Sequence, residues 1–215
     1  FATGPDGALG VVDFRWTHYG MAGWCQRRFV DDARRAAACA QAVDRSRDAL
    51  DRRIAALAGA RRLPSTLALE GGGLECNGQG LAIACEALVR QRNPGLDREA
   101  LTAAYRQLPG VQRVIWLPAG LAEDPHQRAT ITGQHVAWGT GGHTDEFVRF
   151  ADARTVLLAW PDDADAASHP VSRLTRQRMQ RNAEVLAAAR TIDGQPLRVL
   201  RVPMPRPIER PVVLR

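Results

Sequence analysis

The sequence predicts a mixed α/β domain in which β-hairpins alternate with helices. Two short apolar strands surround the turn Asn77-Gly78-Gln79-Gly80, which is a strong hairpin signal. A helical repeat of apolar residues runs through residues 30–58, and buried strands are indicated at 111–117 and 156–160. A regular βαβ series would lack the hairpin, and an all-β protein would lack the helices. An arrangement of ββαβ units around a centre fits this order of elements.

Local patterns define the elements of the first half. Residues 9–16 predict a strand, whereas residues 17–28 contain glycine and aromatic side chains and predict a loop. The long helix of residues 30–58 is expected to end at Gly59, because glycine suits a left-handed C-terminal cap. Residues 65–69 then predict a short apolar strand.

The second half continues the alternation of helices and strands. Asp97 can cap a helix that runs to about Gln107. Residues 119–142 carry Gly, Pro, Thr and His and predict a long loop, with one short strand near residues 130–138. The other predicted elements are strands at 111–117, 156–160 and 197–202 and a helix at 172–189.

Composition and charge distribution restrict the classes of partner expected for the chain. The 215 residues carry a formal net charge of +6, and all 29 basic residues are arginines. These arginines are spread along predicted helices among Asp and Glu, and nucleic-acid binding would need a focused basic stripe. No apolar run approaches the roughly 20 residues that cross a bilayer, and the first residues lack the features of a signal peptide. We therefore expect neither a nucleic-acid partner nor a membrane.

The four cysteines predict no chemistry of their own. Cys25, Cys39, Cys76 and Cys85 form no CxxC pair and no Cys/His cluster with zinc-ligand spacing. Their sparse spacing predicts no disulfide framework, so reduced thiols and a cytoplasmic location are expected. All four are interpreted as structural, and Cys25 is the only one placed on a loop.

The segment Gly142-His143-Thr144-Asp145 is the clearest catalytic candidate. The glycines before His143 allow a tight turn that brings the imidazole to a loop surface. In an extended segment, residues i and i+2 share a face, so His143 and Asp145 would point into the same space. Such a pair suits a proton shuttle beside a carboxylate that holds a cation. The residues alone also allow, and slightly favour, a hydrogen-bonded histidine at a strand start beside a surface aspartate.

Other segments offer weaker candidates. A carboxylate followed by glycines at a strand end, as in Glu70-Gly71-Gly72-Gly73, can approach a ligand closely, although a simple turn or bulge explains it equally well. Trp24 and Trp138 lie in glycine-containing loops and could line a pocket. His135 lies eight residues before His143, so a metal site that also uses Asp145 is conceivable, but no known ligand spacing supports it.

Taken together and in order, several segments resemble the agmatine deiminase and bacterial, Porphyromonas-type peptidyl-arginine deiminase family of guanidine-modifying enzymes. The resemblance covers most of the chain. The matching segments lie at residues 10–16, 69–72 with 77–80, 93–94, 110–118, 142–150 and 156–160.

This resemblance implies a fold, a reaction and roles for residues. The implied fold is a pseudo-fivefold α/β propeller of ββαβ units, with residues 1–215 as part of a single catalytic domain. The implied reaction hydrolyses a guanidino group to a ureido product and ammonia through a cysteine-linked intermediate, without a cofactor or metal. His143 matches the acid/base histidine, Asp145 a guanidinium-binding aspartate and Glu70 a substrate-side carboxylate. Trp138 is a further substrate-binding candidate.

Departures from the family pattern set the remaining expectations. The family's catalytic cysteine lies in a Gly-rich segment beyond Arg215, and an Arg-Asp-x-Gly-Pro segment is expected before Phe1, so the chain is expected to be cut at both ends and inactive alone. Gly141 replaces a common aspartate, which keeps both agmatine, for putrescine biosynthesis, and peptidyl-arginine open as substrates. A homo-oligomer is possible. The alternatives are an inactive relative that binds cationic guanidino ligands and a metal hydrolase that uses His135, His143 and Asp145.

Overall fold

The computed structural model describes residues 2–45 and 50–213, and three ββαβ units can be traced within those ranges. In each unit, two antiparallel strands are followed by helices and then by a third strand, which runs parallel to the second. This observation confirms the predicted alternation of hairpins and helices.

The first unit contains three helices between its second and third strands. Its strands and helices are β1 (Ala2–Thr3), β2 (Leu9–Arg15), α1 (Met21–Arg28), α2 (Ala33–Arg45), α3 (Leu50–Leu57) and β3 (Arg61–Ala68). The predicted helix of residues 30–58 corresponds to α2 and α3, and residues 46–49 between them lie outside the described residues. Gly59 has a φ of 59° and donates its N–H to the carbonyl of Ala56, which confirms the left-handed C-terminal cap.

The second unit is the most deeply buried of the three. It consists of β4 (Glu75–Cys76), β5 (Gly80–Cys85), α4 (Glu86–Arg92), α5 (Arg98–Arg106) and β6 (Val111–Leu117). The Asn77 side chain accepts the N–H groups of Gln79 and Leu81, and this hydrogen bonding fixes the predicted turn between β4 and β5. The Asp97 side chain accepts the N–H of Ala100, which confirms the predicted cap of α5. Sequence patterns did not predict α4.

The third unit precedes a C-terminal segment of residues 204–213 that has no helix or strand. It consists of β9 (Val148–Phe150), β10 (Thr155–Trp160), α6 (Asp163–Ser168), α7 (Pro170–Ala188) and β11 (Arg198–Pro203). The strand at 156–160, the helix at 172–189 and the strand at 197–202 are thereby confirmed within one or two residues. The acidic segment after β10 forms α6, whose N-cap Asp162 accepts the N–H of Asp165, and this helix was not predicted.

A two-stranded hairpin corrects the prediction of a long loop over residues 119–142. β7 (His126–Thr132) pairs antiparallel with β8 (His135–Thr140), and Gly133 turns the chain with a φ of 55°. The strands carry threonine, histidine and glycine with few buried apolar side chains, so the usual alternation of a half-buried strand is weak.

The N-terminal helices correct two further predictions. Residues 17–28 are not all loop, because α1 covers Met21–Arg28 and places Cys25 on a helix. Cys25 forms a disulfide with Cys39 of α2, with a Cα–Cα distance of 5.8 Å, so the prediction of unpaired cysteines is wrong for this pair. Cys76 and Cys85 are free thiols on strands, as predicted.

The hydrophobic core joins the second and third units. Its fully buried side chains include Leu81 and Ile83 of β5, Leu101 of α5, Leu158 of β10 and Met179 of α7. Leu67 at the end of β3 packs against this core and so fixes the position of the segment that follows it. None of the helices in the described ranges is both long enough and apolar enough to span a bilayer.

Candidate functional site

The candidate site lies on the two segments that connect successive ββαβ units. Glu70 follows β3 and precedes a short 3-10 helix of residues Gly71–Gly73, whereas His143 precedes a second 3-10 helix of residues Thr144–Glu146. The Thr144 hydroxyl donates to the carbonyl of Gly73 at 3.0 Å, and this bond ties the two short helices together. Two connections that are distant in sequence therefore form one surface.

Glu70 is a buried carboxylate held between two nitrogen-bearing side chains. Arg92 donates its Nε–H to both carboxylate oxygens at 2.8 and 3.1 Å, and His143 Nε2 lies 3.2 Å from Oε2. Burial opposes ionisation of Glu70, but the hydrogen bonds from His143 and Arg92 and their charges outweigh it and lower its pKa. Glu70 therefore stays ionised at neutral pH and orients the imidazole.

The end of α4 supports this arrangement. Asn93 is buried, and its side chain exchanges hydrogen bonds with the N–H and carbonyl of Ala68 at the end of β3. Arg92 is fully buried, and it also donates to the carbonyl of Thr140 at 2.6 Å. The residues Arg92 and Asn93 thus hold the strand that carries Glu70 and the segment that leads to His143.

Asp145 lies on the other side of the imidazole. Its Oδ1 is 3.8 Å from His143 Nδ1, and its side chain is 41% exposed, so one face of the carboxylate is open to a ligand. The predicted proximity of His143 and Asp145 is correct, but the extended segment assumed for it is wrong. The two side chains meet because residues 144–146 form a 3-10 helical turn.

Gly72 permits the close approach of the two connections. A Cβ atom at this position would lie 2.4 Å from His143 Nδ1 and 2.7 Å from Asp145 Oδ1. The same addition at Gly71 would meet nothing within 4 Å. The glycine run after Glu70 therefore contains one position where the site requires a glycine, in line with the expected close approach to functional groups.

Asp124 fixes the backbone before His143, although sequence patterns did not single it out. Its carboxylate accepts the N–H groups of Thr140, Gly142 and His143, with 2.5 Å to Gly142 N and 3.1 Å to His143 N. The Thr140 hydroxyl donates to it at 2.7 Å. Burial opposes ionisation of Asp124, but these hydrogen bonds outweigh burial and lower its pKa.

Glu146 adds a third carboxylate next to this loop. Partial burial, the negative charges of Asp124 and Asp145 and a hydrogen bond with Asp124 raise the pKa of Glu146 to about 7, although the positive charge of His143 acts in the opposite direction. Glu146 therefore exchanges its proton near neutral pH.

Tyr19 covers the imidazole from the first unit. The centroids of the Tyr19 and His143 rings are 5.7 Å apart, and Trp16 packs edge-on against Tyr19 at 5.0 Å. His126 Nε2 lies 2.7 Å from the carbonyl oxygen of Tyr19 and anchors that loop to the base of the β7–β8 hairpin. Aromatic rings on one side of His143 restrict its access to water.

Two candidates from the sequence lie apart from this group. Trp138 is on β8 opposite Arg128, with 69% of its surface exposed, and within the described ranges no hydrogen bond or ring contact joins it to Glu70, His143 or Asp145. His135 Nδ1 lies 2.6 Å from Glu209 at the other end of β8. The metal site built from His135, His143 and Asp145 is therefore contradicted, because the folded chain pairs His135 with a different carboxylate.

None of the four cysteines of the chain has the environment of a reactive thiolate. Cys25 and Cys39 are joined in the disulfide. Cys76 is exposed, but desolvation of its thiol, with a smaller contribution from Glu75, raises its pKa to about 11. Burial raises the pKa of Cys85, although N–H groups at the start of α4 oppose the shift. A nucleophilic cysteine needs the opposite, a lowered pKa and access to the substrate.

Comparisons with known proteins identify the family of this chain. Residues 3–214 match the Porphyromonas-type peptidyl-arginine deiminase family. The agmatine deiminase of Ectopseudomonas mendocina is 34% identical over 75% of this chain and 39% of its own length. The enzyme of the same name from Stutzerimonas stutzeri is 37% identical over 65% of the chain and 33% of its own length. The chain thus spans less than half the length of these relatives.

Solved structures show the same fold. The agmatine deiminase of Enterococcus faecalis superposes with a TM-score of 0.61 at 20% identity, over 90% of this chain and 44% of that chain. The agmatine deiminase of C. jejuni gives a TM-score of 0.59 at 17% identity, over 94% of this chain and 48% of that chain. With the family match over residues 3–214, the chain belongs to the Porphyromonas-type peptidyl-arginine deiminase and agmatine deiminase family.

Proposed function

We propose that residues 1–215 form part of the single catalytic domain of a guanidino-group hydrolase that acts on agmatine or on peptidyl-arginine. The observation that carries this proposal is the buried Glu70 carboxylate between Arg92 and His143, with the exposed Asp145 on the other side of the imidazole. The relatives named agmatine deiminases support the substrate class.

The carboxylates suit a planar cation. Asp145 can accept two parallel N–H groups of a guanidinium on its exposed face, which fixes the plane of the substrate. Glu70 is already satisfied by Arg92 and His143, so its main role is to orient the histidine rather than to bind the cation alone. Trp138 on β8 is 69% exposed and, within the described residues, makes no hydrogen bond or ring contact with Glu70, His143 or Asp145, so the proposed guanidinium site does not include it.

The chemistry proceeds in two displacements at one carbon. A cysteine thiolate adds to the guanidinium carbon, and His143 donates a proton to the departing nitrogen, which leaves as ammonia. His143 then accepts a proton from water as the hydroxyl adds to the thiouronium carbon. The carbon–sulfur bond breaks to release the thiolate, and the hydroxyl proton passes to solvent as the carbonyl of the ureido product forms. His143 has Nε2 against the buried Glu70 and Nδ1 on the side of the exposed Asp145, so Nδ1 is the nitrogen assigned to this exchange.

The nucleophile comes from a cysteine other than the four in this chain. Those four are a disulfide pair and two thiols with raised pKa values, which supports this part of the proposal. Residues 1–215 alone are accordingly expected to be inactive. The three ββαβ units would be part of a pseudo-fivefold propeller in the complete domain, with further units beside them.

The test uses the complete protein that contains these residues. Ammonia and ureido product are measured from agmatine, free arginine and peptides with a C-terminal arginine. His143→Asn is expected to lower kcat by about 10² to 10⁴, as for the loss of an acid/base group. Asp145→Asn is expected to raise KM as well, whereas Asp163→Asn, whose side chain is 92% exposed, leaves both constants unchanged.

One result would contradict the proposed enzymatic function, and a second would support binding without turnover instead. A folded protein that turns over none of these compounds contradicts the enzymatic function. If such a protein still binds agmatine or an arginine peptide and loses this binding in Asp145→Asn, it is a relative that binds cationic guanidino ligands without turnover. This second function is considered because none of the four cysteines in residues 1–215 is suited to act as the nucleophile.

A further inference from the structure

A second group of ionisable side chains lies at the opposite end of the β7–β8 hairpin from Asp124. His135 begins β8, His169 immediately precedes α7, and Glu209 lies in the segment after β11. His135 Nδ1 and His169 Nε2 are 2.6 and 2.9 Å from the same oxygen of Glu209. Three elements that are far apart in sequence thus direct two imidazoles and a carboxylate at one point.

The environment of this group is intermediate between core and solvent. The side chains of His135, His169 and Glu209 are 30%, 19% and 49% exposed. His135 and Glu209 also line a cavity of about 850 Å³ between the hairpin and residues 207–212. Glu123 and Arg210 line the same cavity with opposite charges. A small ion can therefore reach the group from solvent.

We propose that His135, His169 and Glu209 bind a divalent transition-metal ion of the Zn²⁺ type. Two imidazole nitrogens and one carboxylate are the ligands such ions favour, and water would complete a tetrahedron. The candidate ligand atoms all lie within 4.8 Å of one another. Metal–ligand bonds of about 2.0–2.1 Å place tetrahedral ligands roughly 3.4 Å apart, so a pair of ligand atoms as far apart as 4.8 Å would close by about 1.4 Å at most. The Glu209 oxygen, which is 2.6 and 2.9 Å from the two nitrogens, would instead move outward by somewhat less than about 1 Å.

The segment that carries Glu209 can make this movement. Residues 204–213 have no helix or strand, so no ladder of backbone hydrogen bonds holds Glu209 in place. The two histidines, in contrast, are on a strand and at the start of a helix of 19 residues. The Glu209 carboxylate would therefore withdraw slightly to admit the ion, while the elements that carry the two imidazoles stay in place.

One existing contact opposes metal binding and lowers the affinity for the ion. His169 Nδ1 accepts the N–H of Ser172 at 3.4 Å, and this bond caps α7. A metal on Nε2 of the neutral imidazole requires the proton on Nδ1, so binding gives up the contact. The contact is long for a hydrogen bond, and its loss weakens binding by roughly tenfold or less.

The bound ion would cross-link the C-terminal segment, through Glu209, to the β7–β8 hairpin, through His135. Because the group does not include Glu70, His143 or Asp145, metal binding and guanidino hydrolysis can be measured separately. The proposal therefore does not depend on the proposed function.

The experiment measures the affinity of the complete, metal-free protein for Zn²⁺ by competition with a chromophoric chelator. One ion is expected per chain. His135→Gln, His169→Asn and Glu209→Gln are each expected to weaken binding at least about tenfold. Asparagine is chosen at position 169 because it preserves an N-cap acceptor for α7. His18→Ala is the matched control, since it removes an imidazole outside the group and is expected to leave the affinity unchanged.

A second readout separates a specific site from loose binding. Co²⁺ in a distorted tetrahedral site absorbs visible light strongly, and this band is expected with the parent protein and lost in His169→Asn. No stoichiometric Zn²⁺ binding up to millimolar concentration overturns the proposal. Binding that is equally strong in all three variants, with circular dichroism showing them folded, also overturns it, because the ion would then be held elsewhere.

Discussion

Within the described residues, histidine meets glutamate in two places, and these differ more in burial than in distance. His143 and Glu70 are 3.2 Å apart in a buried site, whereas Glu209 is 2.6 and 2.9 Å from His135 and His169 in a half-exposed one. The shorter pairs are not expected to be the stronger ones, since solvent screens exposed charges and side-chain ordering opposes their pairing. Glu70 is therefore expected to keep its hydrogen bonds to Arg92 and His143, whereas Glu209 can release the two histidines and bind another ligand.

The largest expected effect comes from breaking the buried pair. Glu70→Gln leaves the fully buried Arg92 guanidinium without its counter-charge, and removal of one partner of a buried ion pair costs about 3–5 kcal/mol. We expect a loss of that size in the free energy of unfolding, measured by urea denaturation of the complete protein.

Glu209→Gln is the matched change in the exposed group. It should alter the free energy of unfolding by about 1 kcal/mol or less in the absence of metal, as for exposed ion pairs. Equal destabilisation by the two substitutions would show that burial does not distinguish the two sites.

The next largest effect is expected at Gly72, where space rather than charge is tested. Gly72→Ala forces His143 and Asp145 to move, because the new methyl group would lie 2.4 Å from Nδ1 of the imidazole. A displacement of about 1 Å can lower turnover about 10²-fold. Gly71→Ala adds the same methyl group with no atom within 4 Å, so its turnover should match that of the parent. If both variants are equally active, the close approach at Gly72 does not matter for function.

A smaller effect is expected when the loop before His143 loses its anchor. Asp124→Asn replaces one acceptor oxygen with an NH₂ group, which would face the N–H groups that Asp124 now accepts. Leaving such groups unpaired costs about 1–3 kcal/mol. Hydrogen exchange of the amides at Thr140, Gly142 and His143 should quicken, whereas Asp163→Asn should leave them unchanged. Unaltered exchange in Asp124→Asn would contradict the anchoring role.

Sequence patterns predicted those elements that depend on neighbouring residues. The hairpin at Asn77 and the cap at Asp97 are fixed by side chains that bond to backbone groups two to four residues away. The pairing of His143 with Asp145 also survived, although its backbone is a 3-10 turn, because two residues separated by one remain close in either conformation.

Sequence patterns missed features that depend on contacts between distant residues, because such contacts leave no local pattern. Arg92 lies 22 residues from Glu70, and Asp124 lies 19 residues from His143, so neither pairing leaves a local signal. Only the arginine beside the matching Asn93-Pro94 segment offered a hint, and it was obscured by the many other arginines. The β7–β8 hairpin was missed because its strands bury little, and periodicity records burial rather than pairing.

The smallest effect concerns Glu146, an exposed residue whose carboxyl group is partly desolvated next to Asp124. The folded chain raises its pKa from 4.5 to about 7. Between these two values the folded state binds more protons than the unfolded state, so the contribution of Glu146 to stability falls as pH rises through that interval. Above pH 7 the carboxylate is ionised in both states, and the unfavourable contribution remains constant. Solvent screening keeps its size small.

Glu146→Gln keeps the uncharged shape of the protonated acid and should therefore flatten this part of the pH dependence. We expect the variant to gain stability relative to the parent as pH rises from 4.5 to 7, with no further gain above 7. The measurement is urea unfolding at intervals of pH, with Glu184→Gln on α7 as the matched loss of an exposed carboxylate. A parallel pair of curves for Glu146→Gln and the parent would mean that the folded chain does not raise the pKa of Glu146, so that neither burial nor the charge of Asp124 acts on this carboxyl group.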